Sequence, residues 1–339
     1  MADLDVIVVS FNSASYLGPC LGSIYAHAGD VELDVVVVDN DSTDGSPEYV
    51  ETHFPQARVL RNENLGFAHG NNRGFEATGS PYVLFVNPDV EIRAGTFADL
   101  LAEMAARTRC GLTGCRQLTE DGDVYPTIRR FPTPSRSLFE ALGSGRFPIR
   151  ASWMGERDLD PARYERESLC DWVSGSFMLA RRAAVEDAGL MDERFFLFSE
   201  ETDLCAAMKE SGWEVRYLPE MTIFHDFGKN GLSPRLAAQE AYARRQYLFK
   251  RSGTASRSLS TAALVLFNAR RAVTAIGPGE RRRAKRAAAQ AALGVLLGLS
   301  GPPFGDRSGP LRGSGPSSPA PGSPVEALNH PGRPSPSGS

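Results

Sequence analysis

Short runs of β-branched residues, apolar at nearly every position, constrain this fold more than any other feature. They occupy residues 5–10 (DVIVVS), 33–38 (LDVVVV) and 82–86 (YVLFV), and a shorter run lies at 59–60. Apolar runs without alternation are typical of strands buried on both faces of a sheet. Because segments with helical patterns separate these runs, the sequence predicts an α/β domain with a mostly parallel central sheet.

Polar residues follow each of these strands. They are Ser10 and Asn12, Asp39 and Asp41, Asn62 and Asn64, and Asn87 and Asp89. Since ligands of parallel sheets bind beyond the carboxyl ends of the strands, this arrangement predicts a binding site at that edge. Taken singly, the aspartates also suit turns and helix caps. Asp89 is in addition a suitable ligand for a divalent cation that a nucleotide holds through its phosphates.

The overall composition excludes several classes of protein. Of the 339 residues, 42% are hydrophobic and 23% charged, and the formal net charge is −4. This is typical of a globular protein and argues against nucleic-acid binding. The five cysteines form no CxxC pair, which favours a reducing, cytoplasmic location. The acidic N-terminus is unlike a signal peptide, no apolar stretch approaches the roughly 20 residues of a membrane span, and neither GxGxxG nor a P-loop motif occurs.

An acidic cluster follows the aromatic run at 195–198 (FFLF). Glu200, Glu201 and Asp203 stand at the start of a predicted helix, whose apolar positions recur at helical spacing. Carboxylates at a helix N-terminus are stabilised by the dipole, so simple capping is one interpretation. The other is a general base held by buried aromatic residues. A strand predicted at 214–218 and a further apolar run then lead to His225, which suits either core packing or metal ligation.

These residues, in this order, resemble family 2 glycosyltransferases of the GT-A fold, and within that family the rhamnosyltransferase-like branch. The resemblance spans residues 4–250 and implies a Rossmann-like α/β domain. The matching runs are VSFN (9–12), VVDNDSTDGS (37–46), NLGFAHGNNRGF (64–75), FVNPDV (85–90), DWVSGSFMLARR (171–182) and GLMDERFFLFSEETDLCAAMKESGWEVRYLP (189–219). The stretch GDVYPTIRRFPTPS (122–135) is similar to actinobacterial enzymes that add rhamnose to a lipid-diphosphate-linked GlcNAc.

The resemblance implies a nucleotide-diphospho-sugar donor and a divalent metal, Mg²⁺ or Mn²⁺. Asp89 of Asn-Pro-Asp and His225 match the metal ligands, although Asp226 stands where the branch often has a second histidine. The segment facing the acceptor and the donor sugar corresponds to Trp172, Ser174 and Gly175. The positions implied for nucleotide-sugar binding are Ser10, Phe11, Asn12, Asp39, Asp41, Asn64, Gly66, Asn71 and Asn87.

Residues 200–203 (EETD) match the family's Glu-Asp-x-Asp motif, in which the second acid is the base. Glu201 replaces that aspartate and is one methylene longer, which leaves Glu200 and Asp203 open as alternatives. The implied reaction is inverting transfer, with rhamnose from dTDP-rhamnose as the expected sugar and a glycan or lipid-linked hydroxyl as acceptor. The alternatives are another UDP- or dTDP-sugar with a soluble acceptor, or an inactive nucleotide-sugar-binding protein.

The C-terminal third differs in composition from the catalytic domain expected at 1–250. Basic residues and short apolar runs alternate at 251–300, which predicts a helical extension. Basic clusters beside apolar helices favour an anionic membrane surface, with the protein peripheral on the inner face of the cell membrane. The alternatives to a membrane role are that the extension packs on the catalytic domain or forms a contact in a homodimer. Residues 301–339, rich in Gly, Pro and Ser, predict a disordered tail, and the loop at 227–234 predicts a mobile flap.

Overall fold

The computed structural model describes residues 2–142, 154–226, 233–275 and 279–305. Residues 227–232 of the expected flap and residues 306–339 of the expected tail lie outside these ranges. The helices of the catalytic half are α1 (Ala14–Ala26), α2 (Ser46–His53), α3 (Phe67–Glu76), α4 (Phe97–Ala106), α5 (Pro134–Ala141), α6 (Arg182–Ala188) and α7 (Glu200–Glu210).

The first four strands form the parallel half of a central sheet. They are β1 (Leu4–Ser10), β2 (Leu33–Asn40), β3 (Arg58–Asn62) and β4 (Tyr82–Val86). Their order is β3-β2-β1-β4, and every residue of β1 is buried, as the uninterrupted apolar run predicts. The four predicted strands are therefore confirmed, and their carboxyl ends lie side by side.

The second half of the sheet is mixed. Its strands are β5 (Val90–Ala94), β6 (Cys110–Leu118), β8 (Ser168–Cys170), β10 (Phe177–Arg181) and β11 (Glu214–His225). β10 is antiparallel to both β4 and β6, while β11 pairs parallel with β6 and antiparallel with β5 and β8. A small separate ladder joins β7 (Ile128–Arg129) to β9 (Trp172–Val173).

Two apolar cores lie on opposite faces of the sheet. One contains Leu17, Leu21 and Ile24, whose spacing along α1 puts them on one face of the helix. The other contains Leu204 and Met208 of α7, packed with residues of α3. This three-layer arrangement is the predicted α/β architecture. It holds the start of α7 at the same edge as the strand ends.

Local details differ from the prediction at two places. Asn12 and Ser13 directly precede α1, and their residue types predict helix caps. Within the described chain neither side chain caps α1; instead Asp44 Oδ2 accepts the N–H of Ala14 at 3.0 Å. β11 continues past residue 218, where the predicted strand ends, to His225, with a shift of register between Tyr217 and Thr222.

Three further helices complete the described chain: α8 (Pro234–Arg251), α9 (Thr254–Thr274) and α10 (Glu280–Leu296). α10 packs on α8 and α9, and α9 packs on α5. Ala292 and Leu296 of α10 are buried against Ala241 of α8. The helices of the described ranges are all too short or too polar to cross a membrane.

Candidate active site

The ends of β1 and β2 present buried oxygen atoms that lack partners. Ser10 and Asp39 are register neighbours, and both side chains are buried. One carboxylate oxygen of Asp39 accepts the N–H of Ser42 at 3.0 Å. The other oxygen, Oδ1, and the Ser10 hydroxyl have no hydrogen-bond partner among the described residues. A buried acceptor left open costs free energy, so this edge is suited to a ligand that donates a hydrogen bond.

The loop after β2 is fixed by contacts with the loop after β1. Asn12 and Asp41 both adopt left-handed backbone conformations, with φ of 50° and 63°. Asn12 Oδ1 accepts the N–H of Thr43 at 2.8 Å, and the N–H of Asn12 donates to the Ser42 hydroxyl at 2.9 Å. Asp41 itself is exposed. The two loops therefore form one rigid wall beside Asp39.

Gly66 allows the glycine-rich segment to approach the loop before α7. Its φ is 109°, and a Cβ there would lie 2.5 Å from the carbonyl oxygen of Phe196. The N–H of Phe67 donates to that same oxygen at 2.7 Å. One turn further along α3, Asn71 is buried, and its Oδ1 has no partner in the described chain. Asn64 is half-buried at the entrance of this segment.

Asn72 and His69 of α3 complete this junction. Asn72 exchanges hydrogen bonds with the backbone of Met191 and donates to Glu193 at 2.9 Å. His69 contacts the other oxygen of Glu193 at 3.0 Å. The sequence prediction did not assign these contacts, because they join positions more than a hundred residues apart.

Glu200 and Glu201 begin α7 directly after a strained turn. Phe198 and Ser199 have φ of 71° and 69°, a region that bulky residues rarely occupy and that is often found at functional sites. One oxygen of each glutamate, Oε2, is buried without a partner among described residues. Simple capping does not account for these unpaired oxygens.

Both glutamates have raised pKa values. Burial is the main cause for Glu200, whose pKa lies well above the ordinary value, and the charge of Glu201 adds to it. Burial also raises the pKa of Glu201, although the N–H groups of Glu201 and Thr202 and the charge of Arg129 oppose this. A carboxylate with a raised pKa is a stronger base than an ordinary glutamate, which suits proton abstraction near neutral pH.

Asp203 is in a different environment. Lys250 Nζ and Arg251 Nε of α8 lie 2.7 and 2.6 Å from its two oxygens. Its side chain is only 3% exposed, so the ion pairs occupy the carboxylate. Asp203 anchors α7 to α8.

A chain of hydrogen bonds connects the segment under Glu201 to His225. A Cβ on Gly175 would lie 3.4 Å from Cβ and Cγ of Glu201, so this backbone passes directly beneath the glutamate. The Ser174 and Ser176 hydroxyls are 3.3 Å apart, and Ser176 donates to Gln117 Oε1 at 3.0 Å. Gln117 Nε2 then meets His225 Nδ1 at 3.2 Å. Sequence reasoning missed Gln117, since a lone glutamine within a strand carries no motif.

His225 lies beside Asp89, as the resemblance implies. Its Nε2 is 3.1 Å from Asp89 Oδ1 and 3.5 Å from Asn87 Nδ2. Asn87 Oδ1 is buried with no partner in the described residues. Within that part of the chain, no third His, Cys, Asp or Glu joins this pair to form a larger ligand cluster.

Trp172 lies beside Arg129, whose charge acts on Glu201. The Arg129 guanidinium is 5.6 Å from the Trp172 ring centroid, and the indole N–H donates to the Arg130 carbonyl at 3.0 Å. Arg129 is another residue that the sequence prediction left unassigned. The structure thus brings the predicted strand-end residues, Trp172 to Gly175, the acids and His225 to one edge of the sheet.

Comparisons with known proteins identify the family of this chain. A model of the glycosyl transferase family 2 matches residues 5–163. The N-acetylglucosaminyl-diphospho-decaprenol L-rhamnosyltransferase of Mycobacterium tuberculosis is 30% identical over 237 residues, which are 66% of this chain and 75% of that protein. The rhamnosyltransferase WbbL of Escherichia coli is 21% identical over 231 residues, covering 65% of this chain and 82% of that protein.

A solved structure is similar in fold. The mannosyltransferase PcManGT from Pyrobaculum calidifontis, in complex with GDP-Man and Mn²⁺, superposes with a TM-score of 0.51 at 20% identity, covering 89% of this chain and 82% of that one. The sheet, the family match and the rhamnosyltransferase relatives together make this chain a GT-A-fold enzyme that belongs to the family 2 glycosyltransferases, in their rhamnosyltransferase-like branch.

Proposed function

We propose that this enzyme transfers rhamnose from dTDP-rhamnose, with inversion, to a hydroxyl of a lipid-linked GlcNAc acceptor. The observation that carries the proposal is the position of Glu201. Its side chain lies over Gly175, and the serines beside Gly175 connect through Gln117 to the Asp89–His225 pair. A base and a diphosphate-binding pair within one connected site are what an inverting glycosyl transfer requires.

The nucleotide fits the ends of β1 and β2. Thymine and uracil present a ring N–H, which is a donor that matches the unpartnered Asp39 Oδ1. The rigid wall formed by the loops around Asn12 and Asp41 lies beside this carboxylate. The unpartnered Oδ1 of Asn71 offers a further acceptor for hydroxyl groups of the donor.

A divalent cation fits between Asp89 and His225. The donor set is one carboxylate and one imidazole, with the unpartnered Asn87 amide oxygen nearby. Mg²⁺ and Mn²⁺ accept such ligands and commonly take the remainder from substrate phosphates and water. When bound there, the cation would neutralise charge on the departing diphosphate.

In the reaction, Glu201 takes the proton of the acceptor hydroxyl. The acceptor oxygen forms a bond to the anomeric carbon of rhamnose as the bond from that carbon to the diphosphate oxygen breaks. The electron pair leaves with dTDP, and attack from the opposite face inverts the configuration. Glu201 suits this role because its carboxylate lies against the acceptor segment, whereas Glu200 is more deeply buried and Asp203 is bound by two cations.

The sugar and acceptor are assigned from the relatives. Both named relatives are rhamnosyltransferases, and the mycobacterial protein acts on an N-acetylglucosaminyl-diphospho-decaprenol. The 122–135 stretch, which resembles enzymes of that kind, contributes Arg129 to the site. These are the grounds for rhamnose and for an acceptor that carries a lipid diphosphate.

Glu201→Gln tests the base. We expect transfer to fall by about a hundredfold or more, the usual contribution of a general base, while dTDP-rhamnose binds with unchanged affinity. Asp203→Asn is the comparison: it should lower the melting temperature, because Lys250 and Arg251 lose their buried partner on α7 and keep only Asp192 and Glu210, yet retain transfer at temperatures where it is folded. Radiolabelled product and calorimetry with donor give the two readouts. Full transfer by Glu201→Gln would refute the assignment of Glu201 as the base. If the wild-type protein binds the donor but transfers no sugar, the alternative of an inactive nucleotide-sugar-binding protein is correct.

The pH dependence of transfer provides a second check on the base. Because the pKa of Glu201 is raised, the base is protonated at pH values where an ordinary glutamate is ionised. Activity should therefore fall, as pH decreases, at a higher pH than for an unperturbed carboxylate. An acidic limb at the ordinary glutamate pKa would contradict the assignment of this buried group.

The helical extension forms a surface suited to an anionic membrane, and we assign it a peripheral role there. Leu259, Leu266 and Val273, seven residues apart along α9, are 61%, 44% and 66% exposed. The first turns of α10 add exposed basic residues at 281–286. Apolar groups beside cations favour the interface of an anionic bilayer. A lipid-linked acceptor would be met at such a surface.

A further inference from the structure

Two arginines lie opposite each other, and the charge of one of them, Arg129, acts on Glu201. Arg129 of β7 forms an isolated antiparallel bridge with Arg157. Residues directly opposite in such a bridge project to the same face, and like charges in that position are destabilising. Burial lowers the pKa of the Arg129 guanidinium, and the charge of Arg157 lowers it further. The fold therefore accepts an unfavourable pair of positive charges at this place.

Neither guanidinium forms an ion pair with a described residue. Arg129 is 9% exposed; its Nη2 donates to the Tyr125 hydroxyl at 2.9 Å, and its Nε has no partner in the described chain. Arg157 is exposed. The nearby arginines differ, since Arg130 and Arg163 both pair with Asp158. An unpaired buried cation is costly unless a ligand supplies the opposite charge.

The position of the pair relates it to the acceptor. Arg129 contacts the face of Trp172, and its charge acts on Glu201. An acceptor sugar that lies against Trp172, with its hydroxyl at Glu201, would direct its anomeric substituent toward the arginines. In a lipid-linked sugar that substituent is a diphosphate. Arginine suits phosphate oxygens because its planar donor groups match them in pairs.

The surroundings match the remainder of such an acceptor. Leu159, two residues after Arg157, is 45% exposed. Leu138 on α5 and Leu142 directly after it are 47% and 57% exposed, and Glu140 of that helix accepts the N–H of Glu156 at 3.2 Å. Exposed leucines therefore border the segment that carries Arg157. They offer an apolar surface for the first units of a hydrocarbon chain.

Besides Glu201, a second acidic group lies near the pair. The charges of Arg271, Arg157 and Arg129 act on Glu240 of α8, but among the described residues no ion pair joins them. Glu240 therefore offsets part of the positive charge without occupying either guanidinium.

From these contacts we infer that Arg129 and Arg157 form the binding subsite for the diphosphate of a lipid-linked acceptor. The inference rests on the proposed function and deepens it by naming the acceptor group that is recognised. The arginines hold the diphosphate, Trp172 supports the sugar, and Glu201 meets the reacting hydroxyl.

The test compares two acceptors that differ only in the diphosphate. One is GlcNAc linked through diphosphate to a short polyprenyl chain, and the other is the same prenyl chain linked to GlcNAc as a simple glycoside. Arg157→Met should raise KM for the first acceptor by about tenfold or more, the scale of one lost charge-assisted contact, and leave KM for the second unchanged. Arg157 is exposed, so its variant is not expected to disturb folding.

Arg109→Met is the matched control. Arg109 is an exposed arginine directly before β6, whereas Gln117 of the site lies near the other end of that strand. An equal rise of KM for both acceptors, or none for either, would overturn the inference. Calorimetry measures binding of the diphospho-acceptor without any transfer. It therefore tests the diphosphate subsite independently of the proposed reaction. Binding that Arg157→Met weakens, in an enzyme that does not transfer rhamnose, would leave the subsite standing and refute the reaction. Binding that Arg157→Met leaves unchanged would refute the subsite itself.

Discussion

At the residue scale, two adjacent glutamates at the start of α7 have different environments. Glu200 is 4% exposed and Glu201 is less deeply buried, and Gly175 lies against the latter. Burial and mutual repulsion mean that the pair does not ionise as two ordinary glutamates would. One member is therefore available to accept a proton, and the other is a source of instability at neutral pH.

Glu200→Gln should stabilise the protein at neutral pH. A carboxyl whose pKa is raised in the folded state binds protons there more tightly than in the unfolded chain. Stability is therefore lost as pH rises from the unfolded pKa, near 4.5, through the folded pKa. Below that pH window the variant and the wild type should have the same free energy of unfolding. Above it the variant should be more stable, by about 1.4 kcal/mol for every tenfold difference between the acid dissociation constants of Glu200 in the folded and unfolded states. Denaturant unfolding across pH measures this. A stability difference between variant and wild type that is the same at all pH values would contradict this prediction. Retained transfer by Glu200→Gln would show that Glu200 is not the base.

Gln117 is a positioning residue for His225. In the present orientation its amide N–H meets Nδ1, so that Nε2 carries the proton toward Asp89. Metal ligation through Nε2 requires the proton on Nδ1, where the amide oxygen of Gln117 would accept it. Gln117→Met should weaken Mn²⁺ binding by about ten- to a hundredfold, measured by electron paramagnetic resonance with dTDP present.

Thr113→Val provides the control for that measurement. Thr113 is buried on the same strand, β6, and its hydroxyl donates only to the Gly114 carbonyl within the described contacts. Its Mn²⁺ affinity should equal that of the wild type. If Gln117→Met also binds Mn²⁺ as the wild type does, the positioning role is wrong.

At the scale of elements, the site depends on how α3 meets the loop before α7. Gly66→Ala should disrupt this junction, since the new Cβ would approach the Phe196 carbonyl to 2.5 Å at a φ of 109°. We expect a loss of about 1–3 kcal/mol of unfolding free energy and weaker donor binding. Gly22→Ala in α1 is the control, because its Cβ meets no atom within 4 Å and alanine is the better helix former. A Gly66→Ala protein as stable as the wild type would contradict this account.

At the scale of the whole molecule, the extension packs on the catalytic unit through α8 and α5. Deleting it would expose buried residues of α8, so surface substitutions test membrane binding better. Replacing Leu259, Leu266 and Val273 of α9 with serine should abolish sedimentation with anionic vesicles and leave the affinity for dTDP-rhamnose unchanged. Leu169→Ser, on β8, changes an equally exposed leucine and should have no effect. Undiminished sedimentation of the triple variant would refute the membrane surface.

The sequence by itself determined the parallel half of the sheet and the edge at which the candidate site lies. Runs such as 33–38 are apolar at nearly every position because both faces of a parallel strand are buried, and their polar ends must meet at one edge. Both properties are local in sequence, so they could be predicted without a structure. The same applies to the acids at 200–203 and to the motifs that identify the family.

Only the tertiary structure decided which side chains work together. Asp203 is bound by Lys250 and Arg251, nearly fifty residues away, and that packing distinguishes it from Glu201. Gln117 reaches His225 across more than a hundred residues, and Arg157 faces Arg129 through a bridge with no sequence signal. The physical reason is that the charge and hydrogen bonds around a side chain come from whichever distant segments the fold packs against it.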